Sequence, residues 1–397
     1  MVDPILDIEG LTTRFFTGEG QINAVSDVDL TINPGETVGV VGESGSGKSV
    51  TALSIMDLVE DPGKITAGTV RYRNPEFAAS IAERHPDAVD GDYVDLLAVP
   101  KHVRRSLRGT SFSMIFQDPE SSFNPSITVG EQIAEAVEVQ RRATTRPRSV
   151  SARSTRPEYR FSDFLLSTVF PSRGYVSESS KQEAISLLEQ VGIPDPEERV
   201  GQYPHEFSGG MLQRAMVAQA LAGEPDVLIA DEPTTALDVT IQAQVLELLN
   251  DLQAEFGMSI LLITHDLGVV ARMCERVGVM YAGKIVERGT VSDIFDTPAH
   301  PYTEGLIGSI PDIDTPGGNR LQPIAGNVPS LLDSEMGTRC AFADRCPKAM
   351  QRCLDEPSEL DASGSQSHTA QCYLVSDGYA EEEALPAGYF ESSGGDS

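Results

Sequence analysis

The chain has 397 residues, 40% of them hydrophobic, which is long for one domain and suits one large domain plus an appendage. Sixty acidic residues against thirty basic ones give a formal charge of −30, a surface that repels nucleic-acid backbones and argues against non-specific DNA binding. No apolar run is long enough for a membrane-spanning helix, and the N-terminal "MVDPILDIEGL" lacks the charged and apolar regions of a signal peptide, so a cytosolic chain is expected.

In chain order, the first part reads as short strands and turns: "ILDIEGLTTRFF", "AVSDVDLTI" and, after the turn "NPGE", the strand "TVGVV". The glycine-rich "GESGSGKSV", Gly42 to Val50, follows directly, and "SVTALSIMDLV" has helical apolar spacing. Residues 74–105 are polar, with Pro, Asp and His, and are expected to form a surface insertion. "SFSMIFQDP" is another short strand, ending at Gln117. From about 126 to 222 the pattern is helical, interrupted by a basic stretch. "DVLIADEP" and "SILLITHD" read as central strands of a mostly parallel sheet, with the amphipathic helix "TIQAQVLELLNDLQAEF" between them. Each strand ends in acidic or histidine residues, where the ligands of open α/β sheets gather. The alternation predicts an α/β core with an inserted helical subdomain.

"GESGSGKS" fits G-x-x-x-x-G-K-[ST] at Gly42, Gly47, Lys48 and Ser49. Its glycines let backbone N–H groups converge on phosphate oxygens at the positive end of the following helix. Gly42, Glu43, Ser44, Gly45, Ser46, Gly47, Lys48, Ser49 and Val50 are therefore the candidate nucleotide contacts. Lys48 would reach the β- and γ-phosphates, and the Ser49 hydroxyl would ligate Mg²⁺. A plain glycine turn is the competing reading, weakened by the strand before and the helix after. Asp231 and Glu232 follow "VLIA"; one carboxylate can hold the Mg²⁺ shell and the next can orient or deprotonate a water. In isolation such a pair could equally cap a loop.

"EFSGGMLQR" ends just before that strand and, with "FQDP", "DEPTTALD" and "ITHD", completes an ordered set over nearly the whole chain. On these motifs the chain resembles the ATP-binding subunit of ABC transporters. "VGESGSGKS", "MIFQDP", "YPHEFSGGM", "IADEPTTALDVT", "ITHDLGVV", "MYAGKIVERG" and "HPYTEGL" are similar to the branch serving oligopeptide and dipeptide importers. The resemblance implies a P-loop α/β cassette over 1–305 with its helical subdomain at about 118–222. It also implies a C-terminal extension with four cysteines over 306–375, followed by an acidic tail, 376–397. Two ATPase subunits pair head to tail, so Ser208, Gly209 and Gly210 of one would touch the γ-phosphate held by the other. Gln117 would approach Mg²⁺ and the attacking water, Asp231 would bind Mg²⁺, Glu232 would act as general base, His265 would hold the γ-phosphate and Asp238 would link the two sites. Phe15 is the expected aromatic stacked on adenine, with Phe16 the next candidate. Implied partners are two membrane permeases, a second ATPase subunit (identical or paralogous) and an extracellular substrate-binding protein, with the ATPase on the cytoplasmic face of the membrane. Nickel or oligosaccharide cargo uses the same machinery and stays open.

A soluble ABC ATPase of DNA repair or translation is the alternative class. It would need long heptad arms or two nucleotide domains, and this chain has one phosphate loop and no such arm. A regulatory module without hydrolysis would lack Glu232 or His265, and both are present. The signature reads "SGGM" where many ABC ATPases carry "SGGQ"; Met211 is common in the peptide branch, and Leu212 replaces a basic residue expected at a surface contact. Only six lysines and the acidic excess also resemble proteins of salt-loving archaea, whose self-repulsion is screened by concentrated salt.

Cys340, Cys346, Cys353 and Cys372 are spaced C-x5-C-x6-C-x18-C. Disulfides are disfavoured in a cytosol, and zinc sites usually begin with C-x2-C or a near variant. Four thiolates and the Cys-Pro at 346–347 suit an iron–sulfur cluster, and similar importers carry this pattern, some with [4Fe–4S]. Zinc and unmetallated thiols remain alternatives. Cys274 is expected to be buried packing, and His85, His102, His205 and His300 are read as structural. "QRRATTRPRSVSARSTRPEYR", 140–160, carries seven arginines and one glutamate, either a solvated loop or a contact for anionic lipid headgroups or an acidic membrane partner. The tail from Ser376 has six acids and no base, and is expected to be disordered.

Overall fold

Alternating apolar residues set the first pairing: β1 (Leu6–Thr17) and β2 (Gly20–Ile32) run antiparallel, with Leu6 opposite Ile32 and Ile8 opposite Leu30. The computed structural model describes residues 3–144, 176–235, 237–309, 324–329, 331–332, 338–362, 367–386 and 389–390. They fall into two units, 1–98 with 261–397, and 99–260. In the first unit, β3 (Thr37–Val41) is buried along its whole length and leads through the glycine loop into α1 (Lys48–Ile55). Thr13 and Ser54 hydroxyls, 2.7 Å apart, tie this helix to β1. β4 (Gly63–Arg73) pairs with the other edge of β1, Leu6 opposite Tyr72. Of the stretch 74–105 expected as a surface insertion, residues 74–98 form a structured edge of this sheet. Asn74 caps α2 (Pro75–Ile81) by accepting from the Phe77 N–H at 2.9 Å. β5 (Val89–Asp90) and β6 (Tyr93–Asp95) extend the sheet to the order β2-β1-β4-β6-β5. Phe77, Val94 and Leu96 are buried there, which polar composition alone obscured.

The second unit contains α3 (Lys101–Arg105), then β7 (Phe112–Ile115). α4 (Pro119–Ser122), α5 (Val129–Thr144), α6 (Glu178–Gln190), α7 (Pro196–Arg199) and α8 (Gly209–Leu221) form its helical part. Ile133 and Val137 of α5, Ala184 and Leu188 of α6, and Ala215 and Met216 of α8 supply its core. Inside it, the buried Glu138 carboxylate accepts from Ser180 Oγ at 2.7 Å and Ser177 Oγ at 2.9 Å. Leu212 is only 3% exposed, so it belongs to this core and not to the surface contact expected of it. Of the basic stretch, Arg141 reaches Ser179 Oγ at 2.7 Å and Glu183, while 145–160 lie outside the described residues. β8 (Val227–Asp231) runs parallel to β7 with Phe112 opposite Val227, and α9 (Val239–Phe256) follows.

β9 (Ser259–Thr264) returns the chain to the first unit, ahead of α10 (Leu267–Met273), β10 (Arg276–Tyr281) and β11 (Lys284–Thr290). α11 (Val291–Asp296), α12 (Pro301–Gly308), β12 (Leu360–Asp361), β13 (Thr369–Ala370) and α13 (Leu374–Asp377) complete it. Within this unit the strands lie in the order β12-β13-β11-β10-β3-β9. β10 is parallel to β3, but β11 to β13 add antiparallel neighbours, so the sheet is mixed and not mostly parallel at this edge. As expected, Cys274 is packing: it sits against Gly39 of β3, and burial raises its thiol pKa. Of the acidic tail, 376–386 and 389–390 are among the described residues. Arg352 binds Glu383 at 2.8 Å, Leu385 N–H donates to Ala349 O, and Phe390 packs beside Met350, Ala343 and Cys353. Residues 391–397 lie outside the described residues.

Candidate functional site

The phosphate loop of the first unit is built by β3, which ends at Val41, and α1, which begins at Lys48. A side chain on Gly42 would put Cβ 2.1 Å from Met280 O, and one on Gly47, at φ 106°, would come within 2.3 Å of Ala24 O. The loop therefore closes against β10 and β2 only with glycine at both places. Lys48 is buried, and its ammonium donates to Gly42 O at 2.8 Å and Glu43 O at 2.9 Å, curling back over the loop. Ser46 is buried, Ser49 and Val50 are half-buried, and Ser44 and Gly45 are exposed. His265 is exposed just after β9, and the Asp266 carboxylate beside it caps α10 through Gly268 N–H at 2.8 Å.

Phe15 is half-buried in β1, with its ring edge against Gly63, and Phe16 is 46% exposed.

In the second unit, Asp231 ends β8 in a buried position, and Glu232 follows in a left-handed conformation, φ 48°. Such a φ costs a non-glycine residue energy and marks a side chain that the surroundings hold in place. Gln117 Nε2 donates to Glu232 Oε2 at 3.0 Å, and Thr235 Oγ1 donates to the same oxygen at 2.8 Å. The structure thus joins Gln117 to Glu232 and adds Thr235. Ser208 caps α8 by accepting from Met211 N–H at 3.4 Å, leaving exposed Gly209 and half-buried Gly210 at the helix start. Asp238 caps α9 by accepting from Thr240 and Ile241 N–H, each at 3.0 Å.

The four C-terminal cysteines line one small pocket with His300, Pro301, Phe342 and Tyr373. Burial pushes the thiols of Cys340 and Cys346 up to about 12 and that of Cys372 up to about 11. As they stand, no three His, Cys, Asp or Glu side chains among the described residues make a metal-binding group. The convergence suits an all-sulfur donor set, but the present thiol positions do not yet form a cage, so the expected cluster is not borne out by the geometry.

Other groups carry no motif signal. His368 and Glu287 are buried together at 2.9 Å, and the Glu287 carboxylate also accepts the N–H groups of Ala299 and His300. His300 caps α12 through Nδ1, which accepts from Tyr302 N–H at 3.1 Å, and burial pushes its pKa down to about 3. Arg345, between Cys340 and Cys346, makes a two-pronged ion pair with Glu43, 302 positions away in sequence. Only the fold brings such residues together.

Residues 25–235 match the family model described as ABC transporter, and 286–353 match that of the oligopeptide/dipeptide transporter, C-terminal region. A peptide import ATP-binding protein of Brucella abortus is 45% identical over 375 residues, 93% of this chain and 96% of that one. The dipeptide transport ATP-binding protein DppD of Bacillus subtilis is 43% identical over 374 residues, 94% of this chain and 95% of that one. Among solved structures, a post-hydrolysis dimer of the ATP-binding cassette MJ0796, bound to ADP and Pi, has the same fold. It is 24% identical, covers 72% of this chain and 98% of that one, and aligns with a TM-score of 0.52.

Proposed function

Because the chain belongs to the ABC transporter ATPase family and carries the oligopeptide/dipeptide C-terminal region, we propose that it is the ATP-hydrolysing subunit of a peptide importer. The observation that carries this reading is Glu232, a carboxylate directly after the buried Asp231, oriented by Gln117 and Thr235 in a chain that also holds an intact phosphate loop. Backbone N–H groups of Gly42 to Val50 and the Lys48 ammonium bind the phosphates, Ser49 and Asp231 hold Mg²⁺, and Glu232 takes the proton of the attacking water. Gln117 orients that water, His265 steadies the γ-phosphate, and Phe15 covers the adenine face, with Phe16 beside it. Ser208, Gly209 and Gly210 face the nucleotide of a second ATPase subunit, and Asp238 relays between the two sites. No helix among the described residues is long and apolar enough to cross a membrane. We assign it to the cytoplasmic face of the membrane beside two permease subunits, with an extracellular binding protein delivering dipeptides or oligopeptides.

Cys340, Cys346, Cys353 and Cys372 are the residues that would hold a [4Fe–4S] cluster, whose chemistry here would be structural or regulatory. Their gathering around one pocket supports the assignment, and loading would require the raised thiols to ionise and draw together. Iron and acid-labile sulfide in anaerobically purified protein are the expected result; their absence would overturn it. The acidic, lysine-poor surface fits a cytoplasm rich in salt.

Steady-state ATP turnover of Glu232→Gln tests the enzymatic reading. Turnover should fall roughly 100-fold or more, with ATP still bound and a dimer stabilised. Unchanged turnover would remove Glu232 from the mechanism.

A further inference from the structure

The phosphate loop and the cysteine-bearing extension meet at one residue, Glu43. Its N–H donates to the Tyr302 hydroxyl at 2.8 Å, and its carbonyl accepts from Lys48 Nζ at 2.9 Å. Its two carboxylate oxygens accept from Arg345 Nη1 at 2.6 Å and Nη2 at 3.0 Å. Every polar group of Glu43 is thereby engaged, two of the three from beyond the loop.

Arg345 is itself held. Its side chain is 5% exposed, its Nε donates to Ala325 O at 2.9 Å, and its guanidinium lies 5.8 Å from the Tyr281 ring centroid and 6.0 Å from that of Phe342. Tyr281, Tyr302 and Phe342 pack together with ring centroids 4.5 to 5.4 Å apart, forming the wall that carries the guanidinium. A two-pronged, partly buried arginine–carboxylate pair is more rigid than a surface ion pair. It is also electrostatically consequential. Glu43 places a negative charge inside a loop expected to receive a polyanion, and Arg345 cancels that charge in a partly desolvated setting.

We propose that Arg345 is a positioning residue through which the C-terminal extension sets the shape and charge of the phosphate loop, and so its affinity for nucleoside triphosphates. The proposal rests on the ATP-binding reading above. The extension thereby acts on the nucleotide site without touching the nucleotide. Cys346, which lines the cysteine pocket, follows Arg345 directly in the chain.

The test is equilibrium binding of a fluorescent ATP analogue to the full chain, together with KM and kcat for ATP. Arg345→Gln leaves Glu43 unpaired beside the phosphates and should weaken binding and raise KM roughly tenfold, with kcat changed far less. Adding Glu43→Gln to it should restore affinity to within about threefold, because the uncancelled charge is then gone. Arg345→Lys, which keeps the charge but loses the fork, should fall between wild type and Arg345→Gln and serves if the glutamine variant does not fold. Binding within about twofold of wild type in Arg345→Gln or, failing that, in Arg345→Lys would overturn the proposal. Equal weakening in the single and double variants would also overturn it, since that is what a merely structural arginine does. A wild-type chain that binds no ATP would instead sink the underlying reading and this proposal with it.

Discussion

His300 offers a sharp energetic test of the packing beneath the C-terminal extension. Its ring is fully enclosed, capping α12 at Tyr302 N–H with Phe342 5.7 Å away, and burial alone lowers its pKa from 6.5 to about 3. The folded protein therefore keeps the ring neutral, while the unfolded chain takes up a proton below about pH 6.5. Stability is intact above that value and is lost as pH falls from 6.5 towards 3. Between about pH 7.5 and about pH 5 this single group should remove about 2 kcal/mol. The assay is urea unfolding at fixed high salt, followed by tyrosine fluorescence because the chain has no tryptophan. Asparagine can accept the same capping bond and does not titrate, so His300→Asn should lose about 2 kcal/mol less than wild type over that pH interval, whatever its starting stability. An identical pH dependence in the two proteins would refute the assignment.

Three further outcomes follow from the same structure. Gly47→Ala drives a Cβ to 2.3 Å from Ala24 O at a φ of 106°, so it should abolish ATP binding in a nucleotide titration and lower Tm. Leu212→Lys buries a charge in the helical core and should cost about 3 kcal/mol in chemical denaturation, where a surface site would cost less than about 0.5 kcal/mol. With a formal charge of −30, Tm should rise between dilute and molar KCl; a flat response would contradict the salt-adapted reading of the surface.

Elements whose local pattern matches their burial were legible in advance. "TVGVV", "VLIAD" and "SILLIT" became fully buried strands, and the glycine loop stands between a strand and a helix as its spacing requires. The Gln117–Glu232 contact comes from the fold, since the two residues follow the ends of neighbouring parallel strands whose pairing the sequence does not show. What could not be read was set by long-range pairing. Residues 74–98 read as a polar surface insertion because the few that turn inward, Phe77, Ala78, Ile81, Ala88, Val94 and Leu96, are spread among polar neighbours. The antiparallel sheet around β1 needs β4 and β6, which are far from it in sequence. The tail packs through Phe390 and the Arg352–Glu383 pair, against a composition dominated by acids. Glu43–Arg345 and Glu287–His368 join residues with no shared motif. Leu212 looked out of place only because a family habit was expected there; its burial explains the apolar choice.

ATP bound in the Gly42–Val50 loop is expected to drive peptide import through membrane partners. The most direct measurement is uptake of labelled dipeptides and oligopeptides into proteoliposomes containing this subunit with its permeases and their binding protein. ATP-dependent uptake that disappears with Lys48→Ala is the predicted result. Uptake that persists in that variant, or a wild-type subunit that never associates with a permease, would contradict the account.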